Sequence, residues 1–536
     1  MNILLLSLIV LIYLCILGML AFFGYRGTKS VSDYMIAGRS IHPYVMAISY
    51  GATFISTSAI VGFGGAAAVF GMGILWLTFL NIFVGIFIAF VFFGKRTRIM
   101  GLNLQAHTFP EFIGNRYQSR FLQGASGMMI FLVMPLYASV VLMGGTKFIA
   151  RVFNINYEAA LFFFVVIIAL YVIMGGLKGV MYTDALQGSI MFIGMAILLI
   201  FTYSKLGGVV SAHQQLTNLS PIAVEIFGKA GHTGWTSFPN FGSNFWFTLV
   251  TTIVLGVGIG VLAQPQLVVR FMTVKSNVEL NRAVLAGGIF IFMMTGVAFI
   301  VGALTNVYFF NNPEFNAVSI VAAEKNVGDI IPLYIKNAMP SWFTAVFMIT
   351  LLSAAMSTLS SQFHTMGTSI GRDVYEKGFG GKGNSVAITK TGIFVTILIS
   401  FLLAWGLPKF FEGGTAIIAR GTAIFFGLCA SAFLPMYLGG LYSRTITRKA
   451  AISGFLVGFF VSFFWIFFVH IAESQPLLIC NALFGKSSLA QGTKWAVVDP
   501  LIVALPLSVI VTILADKTGK PLPQKHVEKC FRGIQK

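Results

Sequence analysis

Apolar positions run along this chain in long blocks, and polar positions fall mostly between them. Thirteen blocks approach or exceed the roughly 20 apolar residues that cross the hydrocarbon core of a bilayer as a helix. We number them as segments one to thirteen: 2–24, 43–70, 74–94, 122–146, 158–177, 185–204, 243–268, 284–307, 340–369, 388–407, 415–440, 450–471 and 497–515. The pattern predicts an all-α polytopic membrane protein with thirteen transmembrane helices.

The composition agrees with this class of protein. Of 536 residues, 57% are hydrophobic and only 10% are charged, whereas about 25% are charged in a soluble domain. Segment one has no basic region before it and no small-residue cleavage site after it, so we expect it to remain as a helix. The sequence offers no carboxylate pair, no nucleophile with a base and no metal-type cysteine spacing, so neither an enzyme nor a cofactor beyond a coupling ion is expected.

Basic residues predict the orientation. The loops after odd-numbered segments and the C-terminal tail hold 25 of the 35 lysines and arginines, and the opposite loops hold nine. By the positive-inside rule, the N-terminus lies outside and the C-terminus lies in the cytoplasm of a cell membrane. The net charge of +19 then mostly faces anionic lipid, so no nucleic-acid partner is needed to explain it.

Two segments are polar and rich in glycine where the others are apolar. Segment two contains the hydroxyl-rich stretch 49–58 and the glycines of 62–65, and segment seven contains the glycines of 256–260 and the Gln-Pro-Gln stretch 264–266. Segment seven comes five segments after segment two. Because five is an odd number, the units that begin with these two segments cross the membrane in opposite senses. Interrupted helices at matching positions of two inverted halves indicate the midplane site of a secondary transporter. The alternative is that small residues simply let helices pack closely.

Segment nine carries a dense run of hydroxyl side chains. The stretch 353–369 holds Ser and Thr residues throughout, and it follows the apolar run 342–352. Lipid offers no partner for a polar group, so these side chains face protein, water or an ion. We interpret them as one wall of a sodium site. The alternative is that they bond back to carbonyls of their own helix.

The end of segment five resembles a family signature. The stretch reads Gly175-Gly-Leu-Lys-Gly-Val-Met-Tyr-Thr-Asp-Ala-Leu-Gln187, and it resembles the signature of the sodium:solute symporter family. Three shorter pieces agree with that family: Ala37-Gly-Arg39, Thr108-Phe-Pro-Glu111, and Gln264-Pro followed by Arg270. The resemblance covers essentially residues 1–515.

The resemblance implies a LeuT-like inverted repeat of five plus five helices, segments 2–6 and 7–11, with segments 1, 12 and 13 flanking it. The chain is then a single transmembrane transporter domain. Its parts are 1–42 (first helix and loop), 43–204 (first repeat), 243–440 (second repeat), 450–515 (last two helices) and 516–536 (cytoplasmic tail). Within the first repeat, residues 108–117 predict a short interfacial helix capped by Thr108.

The family places its shared sodium site between segments two and nine. Carried over by position, the implied ligands are the carbonyls of Ala52, Ile55 and Ala354 and the hydroxyls of Ser357 and Thr358. The chemistry is reasonable, because Na⁺ is a hard ion that prefers oxygen ligands. The two hydroxyl residues are adjacent and one turn beyond Ala354, so their oxygens can meet an ion near its carbonyl.

Three polar residues near these segments have two interpretations each. In the family, the carboxylate matching Asp184 lines the inner route for sodium; alternatively, it caps segment six with Lys178 as its partner. Arg420 pairs with an anionic solute, or it snorkels to the outer surface near Glu412. His364 relays protons, or it packs between helices with its ring satisfied.

The solute should lie beside the breaks, lined by segments two, four, seven and eleven. The candidate solute-binding residues are Thr53, Ser56, Thr57, Ser58, Tyr137 and Gln264. Sugar-transporting members have Gln where this chain has Ala59, and proline-transporting members have Asp at Phe54 and aromatic residues at Val257 and Val261. These departures disfavour sugars and proline, and they favour a short monocarboxylate or a small amino acid.

Together these features predict a sodium-coupled symporter that imports a small organic solute by alternating access. Its expected partners are Na⁺, the solute and the lipid bilayer. Two alternatives have the same fold: a sensor or interaction protein derived from a transporter, and a sodium-independent uniporter. The sequence leaves the identity of the solute and the number of Na⁺ ions per cycle open.

Overall fold

The structure, a computed structural model, describes residues 3–26, 31–174, 177–381, 385–410 and 417–534. Within these ranges all thirteen predicted segments are helical, and the only β-type pairing is an isolated bridge. Ten helices among the described residues are long and apolar enough to cross a membrane, and two shorter apolar helices accompany them. The protein is therefore an all-helical membrane protein with about ten apolar helices.

The helices follow the predicted segments closely. In the order of the segments, their bounds are Ile3–Arg26; Pro43–Phe54 with Phe63–Phe70; Leu75–Ile82, continued to Asn103; Arg120–Phe153; Tyr157–Met174; Leu177–Lys205; Asn244–Ala263 with Pro265–Phe271; Asn277–Asn311; Ser341–Gly378; Ser385–Phe410; Ile417–Tyr442; Arg448–Val469; and Leu501–Asp516. Shorter helices between and after them are Val31–Ile36, Phe109–Tyr117, Val209–Asn218, Ser220–Phe227, Ser319–Ala322, Ile330–Ala338, Ile471–Leu477, Ile479–Phe484 and Gln524–Cys530.

Segment two is broken in its middle, as the sequence predicts. Its first half ends at Phe54, and Ile55 is extended, with φ −90° and ψ 104°. Helical structure resumes at Ser58. The backbone groups on either side of the break lose their regular helical partners there, so they become available to other ligands.

The helix of segment seven is also broken, but the break does not lie at the glycines, where the sequence suggested it. The glycine stretch 256–260 stays helical, and the break comes at Gln264, with φ −71° and ψ 116°. Pro265 follows, and a proline disfavours the helical conformation of the residue before it. The glycines serve close packing instead: a β-carbon on Gly260 would lie 2.5 Å from the Phe426 carbonyl oxygen of segment eleven.

The predicted short helix is confirmed as Phe109–Tyr117, and the Thr108 side chain caps it by accepting from the Glu111 amide at 3.0 Å. The helix is largely buried against the C-terminal end of segment nine. Thr108 donates to Asp373 at 2.8 Å, and Arg372 pairs with Glu111 at 2.8 Å. Burial raises the pKa of Glu111, but hydrogen bonds from His107 and Arg372 outweigh it and lower the pKa to about 2.

A loop that contains Asn326, Val327 and Asp329 covers the second half of segment two. A β-carbon on Gly65 would lie 2.2 Å from the Val327 carbonyl oxygen, so the loop backbone touches the helix directly. Lys147 of segment four holds the loop by donating to Asn326 at 2.7 Å, and it lies 3.6 Å from Asp329. The loop is therefore held against both segment two and segment four.

The turn between segments two and three depends on a glycine. Gly71 has φ +74° and ψ −160°, and a β-carbon there would lie 2.2 Å from the Trp235 carbonyl oxygen. We expect Gly71→Ala to lower the free energy of unfolding by about 3 kcal/mol, from backbone strain and steric clash together. Thermal unfolding of the detergent-purified protein measures this. Gly18→Ala is the control, since nothing lies within 4 Å of its β-carbon position; equal melting temperatures for both variants would contradict the prediction.

Candidate sodium and solute site

Segment nine contacts segment two at the carbonyls beside the break. The Ser357 hydroxyl oxygen lies 2.9 Å from the Ala52 carbonyl oxygen. The Thr358 hydroxyl lies 3.3 Å from the same carbonyl and 3.1 Å from that of Thr53. All four residues are fully buried. Hydroxyl and carbonyl oxygens from two helices therefore converge on one small volume.

The remaining predicted ligands lie at the same place or next to it. The Ser357 hydroxyl is 3.3 Å from the Ala354 carbonyl and 2.8 Å from that of Ser353. A hydroxyl has one proton, so donating it to Ser353 leaves the lone pairs of Ser357 free for a cation. The two interpretations of this serine are thus compatible, because the bond back to its own helix orients it. Ile55 lies at the break itself and is 2% exposed.

Asp184 forms a buried ion pair with Arg270, at 2.9 Å between Oδ2 and Nη2. Both side chains are at most 1% exposed. Two expectations are therefore wrong. Asp184 lies inside the helix Leu177–Lys205 rather than capping it with Lys178, and Arg270, counted among the cytoplasmic loop cations, lies in the interior. The sequence signal for the buried position of Arg270 is the Gln264-Pro265 break, because the break turns the short helix that carries Arg270 inward.

Hydrogen bonds to two other segments and to the Arg270 helix itself surround this ion pair. Arg270 donates to Ser49 at 3.1 Å, Thr53 at 2.5 Å, Ser361 at 2.6 Å and the Gln266 carbonyl at 2.6 Å. The cluster joins segments two, six, seven and nine. A buried charge pair loses its hydration, so it is tolerated only with such compensating bonds. Among the described residues, Asp184 Oδ1 has no hydrogen-bond partner.

A cavity of about 20 Å³ lies beside the break in segment two. Its lining residues are Phe54, Ile55, Ser56, Ala59, Phe63, Leu77, Asn81, Tyr137, Val257, Thr295, Phe299, Thr422 and Phe426. They come from segments two, four, seven and eleven, as expected, and also from segments three and eight, which sequence reasoning missed. Ser56 and Tyr137 are the solute candidates that line it.

The other solute candidates are engaged elsewhere. Thr53 belongs to the Arg270 cluster. Thr57 donates to the Val141 carbonyl at 2.6 Å, and Ser58 donates to that of Ile418 at 3.0 Å. Gln264 is fully buried at the second break, where its Oε1 accepts from Gln266. Thr53, Thr57 and Ser58 thus link helices around the cavity, and none of these four side chains lines it.

Comparisons with known proteins identify the family. A model of the sodium:solute symporter family matches residues 34–458. The chain belongs to this family. Na⁺ is therefore its coupling ion, and the family and its relatives are transporters. Two sodium/proline symporters of Staphylococcus aureus, from strains bovine RF122 / ET3-1 and JH9, are each 27% identical over 529 residues, which is 95% of this chain and 92% of theirs.

A solved Na⁺-coupled sialic acid symporter, in a substrate-bound outward-open state, has a similar fold. The two structures align with a TM-score of 0.73 and 18% sequence identity. The alignment covers 97% of this chain and 98% of the sialic acid symporter chain. At this identity the similarity concerns the fold alone. It supports a LeuT-like arrangement of helices for this symporter-family chain.

Arg420 and His364 each have an environment that the sequence did not predict. Arg420 pairs with Glu473 at 2.6 Å and lies 3.2 Å from His470, so it is neither free for a solute nor simply snorkelling. Glu412 lies outside the described residues. His364 is buried and tilted against the Tyr34 ring, and neither of its ring nitrogens has a hydrogen-bond partner among the described residues. A satisfied packing role for His364 is therefore wrong.

The buried ion pair allows a test by charge removal. Asp184→Asn or Arg270→Gln alone leaves one buried charge without its partner, so each should lower the free energy of unfolding by about 3–5 kcal/mol. The double variant should lose less than the sum of the two. Thermal unfolding in detergent measures the coupling. Glu376→Gln with Lys377→Gln is the control pair, since the Lys377 and Glu376 side chains are 44% and 26% exposed and such a solvated ion pair is worth about 1 kcal/mol or less; additive losses at Asp184 and Arg270 would refute the coupling.

Proposed function

We propose that this protein imports a small organic solute together with Na⁺ by alternating access across the cell membrane. The observation that carries the proposal is the convergence of oxygen atoms at the break in segment two. Neutral carbonyl and hydroxyl ligands suit an ion that must be bound and then released in every cycle.

The proposed sodium ligands are the carbonyls of Ala52, Ile55 and Ala354 and the hydroxyls of Ser357 and Thr358. Without an ion, the two hydroxyls bridge to the freed carbonyls of segment two. With Na⁺ present, the hydroxyl protons turn away and the lone pairs face the ion. Binding then fastens segment nine to segment two, which orders the break and prepares it for the solute.

We place the release of sodium past Asp184. Its Oδ2 is shared with Arg270 and Ser49, and Oδ1 has no partner among the described residues. An unpartnered carboxylate oxygen below the sodium ligands offers a passing cation a transient partner. The membrane potential contributes roughly 2.3 kcal/mol per 100 mV for each inward Na⁺, which corresponds to roughly fiftyfold accumulation.

The proposed layout has thirteen crossings, with the N-terminus outside and the C-terminus in the cytoplasm. Segments 2–6 and 7–11 form the two inverted repeats, and each repeat begins with a broken helix. The distribution of basic residues supports this orientation. The segments that begin the two repeats carry the sodium carbonyls and Arg270, so both breaks contribute to the central cluster.

For the solute we propose a short monocarboxylate or a small amino acid. Three of the positions at which this chain departs from sugar and proline transporters, Phe54, Ala59 and Val257, line the cavity. The relatives in Staphylococcus aureus are named for proline, but bulky side chains at Phe54 and Phe426 reduce the space beside the break. A compact solute fits this cavity better than a ring.

Uptake into proteoliposomes tests the proposal. An inward Na⁺ gradient, compared with an equal K⁺ gradient, is combined with radiolabelled acetate, propionate, lactate, alanine, proline and galactose. We expect Na⁺-dependent accumulation of a small carboxylate or amino acid, and none of galactose. Equal uptake in both salts would refute sodium coupling.

The sodium ligands allow a sharper prediction. Ser357→Ala with Thr358→Ala removes two of the proposed ligands, so the Na⁺ concentration for half-maximal uptake should rise on the order of tenfold or more. Uptake measured over a range of Na⁺ concentrations checks this. Ser400→Ala is the matched control, because this buried serine bonds only within segment ten, at 2.7 Å to Thr396. An unchanged sodium dependence in the double variant would refute the ligand assignment.

A further inference from the structure

Asn81 of segment three is the polar side chain of the cavity that has an unused hydrogen-bonding atom. It is 2% exposed, and its Oδ1 has no hydrogen-bond partner among the described residues. Buried polar atoms are paired in the great majority of cases, so an orphan acceptor requires an explanation. Here the explanation is the cavity, because Asn81 is one of its lining residues.

Two other polar lining groups use their hydroxyl protons within their own helices. Thr295 donates to the Ile291 carbonyl at 2.8 Å, and Thr422 donates to that of Ile418 at 3.1 Å. The Tyr137 and Ser56 side chains also line the cavity. Among the described lining residues, Asn81 Oδ1 is the one fully buried side-chain polar atom that takes part in no hydrogen bond.

The rest of the cavity wall restricts what can approach this acceptor. Every lining residue is uncharged, and the walls include Phe54, Phe63, Phe299 and Phe426. In this closed arrangement the cavity of about 20 Å³ has room for little more than one water molecule. A solute must therefore be compact, and it must bring its own hydrogen-bond donor to the Asn81 end.

We propose that Asn81 selects solutes that carry an N–H or O–H donor beside their carboxylate, that is, small 2-amino or 2-hydroxy acids rather than unsubstituted carboxylates. This inference rests on the proposed function of the cavity as the solute site. The carboxylate of the solute would then lie at the end of the cavity opposite Asn81, next to the sodium site and the first amide groups of the second half of segment two. A solute that has no hydrogen-bond donor at this position leaves Oδ1 buried and unpaired. A site of that kind strongly rejects the analogue that lacks the donor.

Three solutes of nearly equal size test the selection: propionate, L-lactate and L-alanine. They differ only at the second carbon, which carries hydrogen, hydroxyl or ammonium. In proteoliposomes with an inward Na⁺ gradient, we expect wild-type uptake of lactate or alanine to exceed that of propionate at least tenfold. The readout is kcat/KM for each solute, from initial rates.

Two variants separate a selective role from a structural one. Asn81→Leu removes the acceptor, so it should lower kcat/KM for the donor-bearing solute about 10- to 100-fold and leave propionate within threefold. Asn81→Asp keeps the acceptor and adds a negative charge, so it should shift the preference toward alanine over lactate. Thr78→Val is the control: Thr78 lies one turn earlier on the same helix and lines a different, apolar crevice, so the selectivity ratios should stay at their wild-type values.

Each outcome has one meaning. Na⁺-dependent uptake of propionate at the same rate as lactate and alanine would overturn the selection and leave the proposed function standing. An Asn81→Leu variant that loses uptake of all three solutes equally would also overturn the selection, because an equal loss indicates a structural role for Asn81. Uptake of none of the three in wild-type protein, with or without Na⁺, would instead remove the proposed function.

Discussion

Lipid offers no hydrogen-bond partner to a backbone, so a helix broken within the membrane must have its freed groups satisfied by protein or by an ion. This constraint organises the centre of the molecule. The break after Phe54 frees the carbonyls of Ala52 and Thr53, and the hydroxyls of Ser357 and Thr358 satisfy them. The same four residues can release those bonds to a cation, because a hydroxyl is both donor and acceptor. Closing the helix break and binding an ion are therefore alternative uses of one set of atoms.

The Arg270–Asp184 pair lies next to the same centre. It holds together segments two, six, seven and nine through one guanidinium, whose planar donors suit several oxygen acceptors at once. Four elements thus meet at a single charged group. Hydrogen bonds of this kind are directional, so they hold one arrangement firmly and are lost as a set when the elements separate. The loop held by Lys147 is a smaller contact of the same kind.

Much of this could be predicted from local patterns. The break in segment two follows from its run of small and hydroxyl residues, and the interfacial helix follows from Thr108 and Pro110 at its start. The pairing of segments two and nine followed from the family resemblance, because no local pattern states which helices touch. Arg270 was misplaced because a cation near the end of an apolar block normally faces water. Only the inward turn at Gln264-Pro265 buries it. Asn81 was missed since one amide in an apolar segment has no periodic signal.

The sequence by itself determined the membrane class, the helical segments, the orientation expected from its basic residues, and the family. These properties depend on hydrophobicity summed over about 20 residues and on short motifs, both of which are local along the chain. Only the tertiary structure decided which hydroxyls line the cavity and which bridge helices. Thr53, Ser56, Thr57 and Ser58 are neighbours of similar chemistry, yet Ser56 lines the cavity, whereas Thr53, Thr57 and Ser58 form hydrogen bonds with segments seven, four and eleven. The physical reason is that a side chain's partner is set by the helix opposite it, and that helix lies up to 364 positions away in the chain.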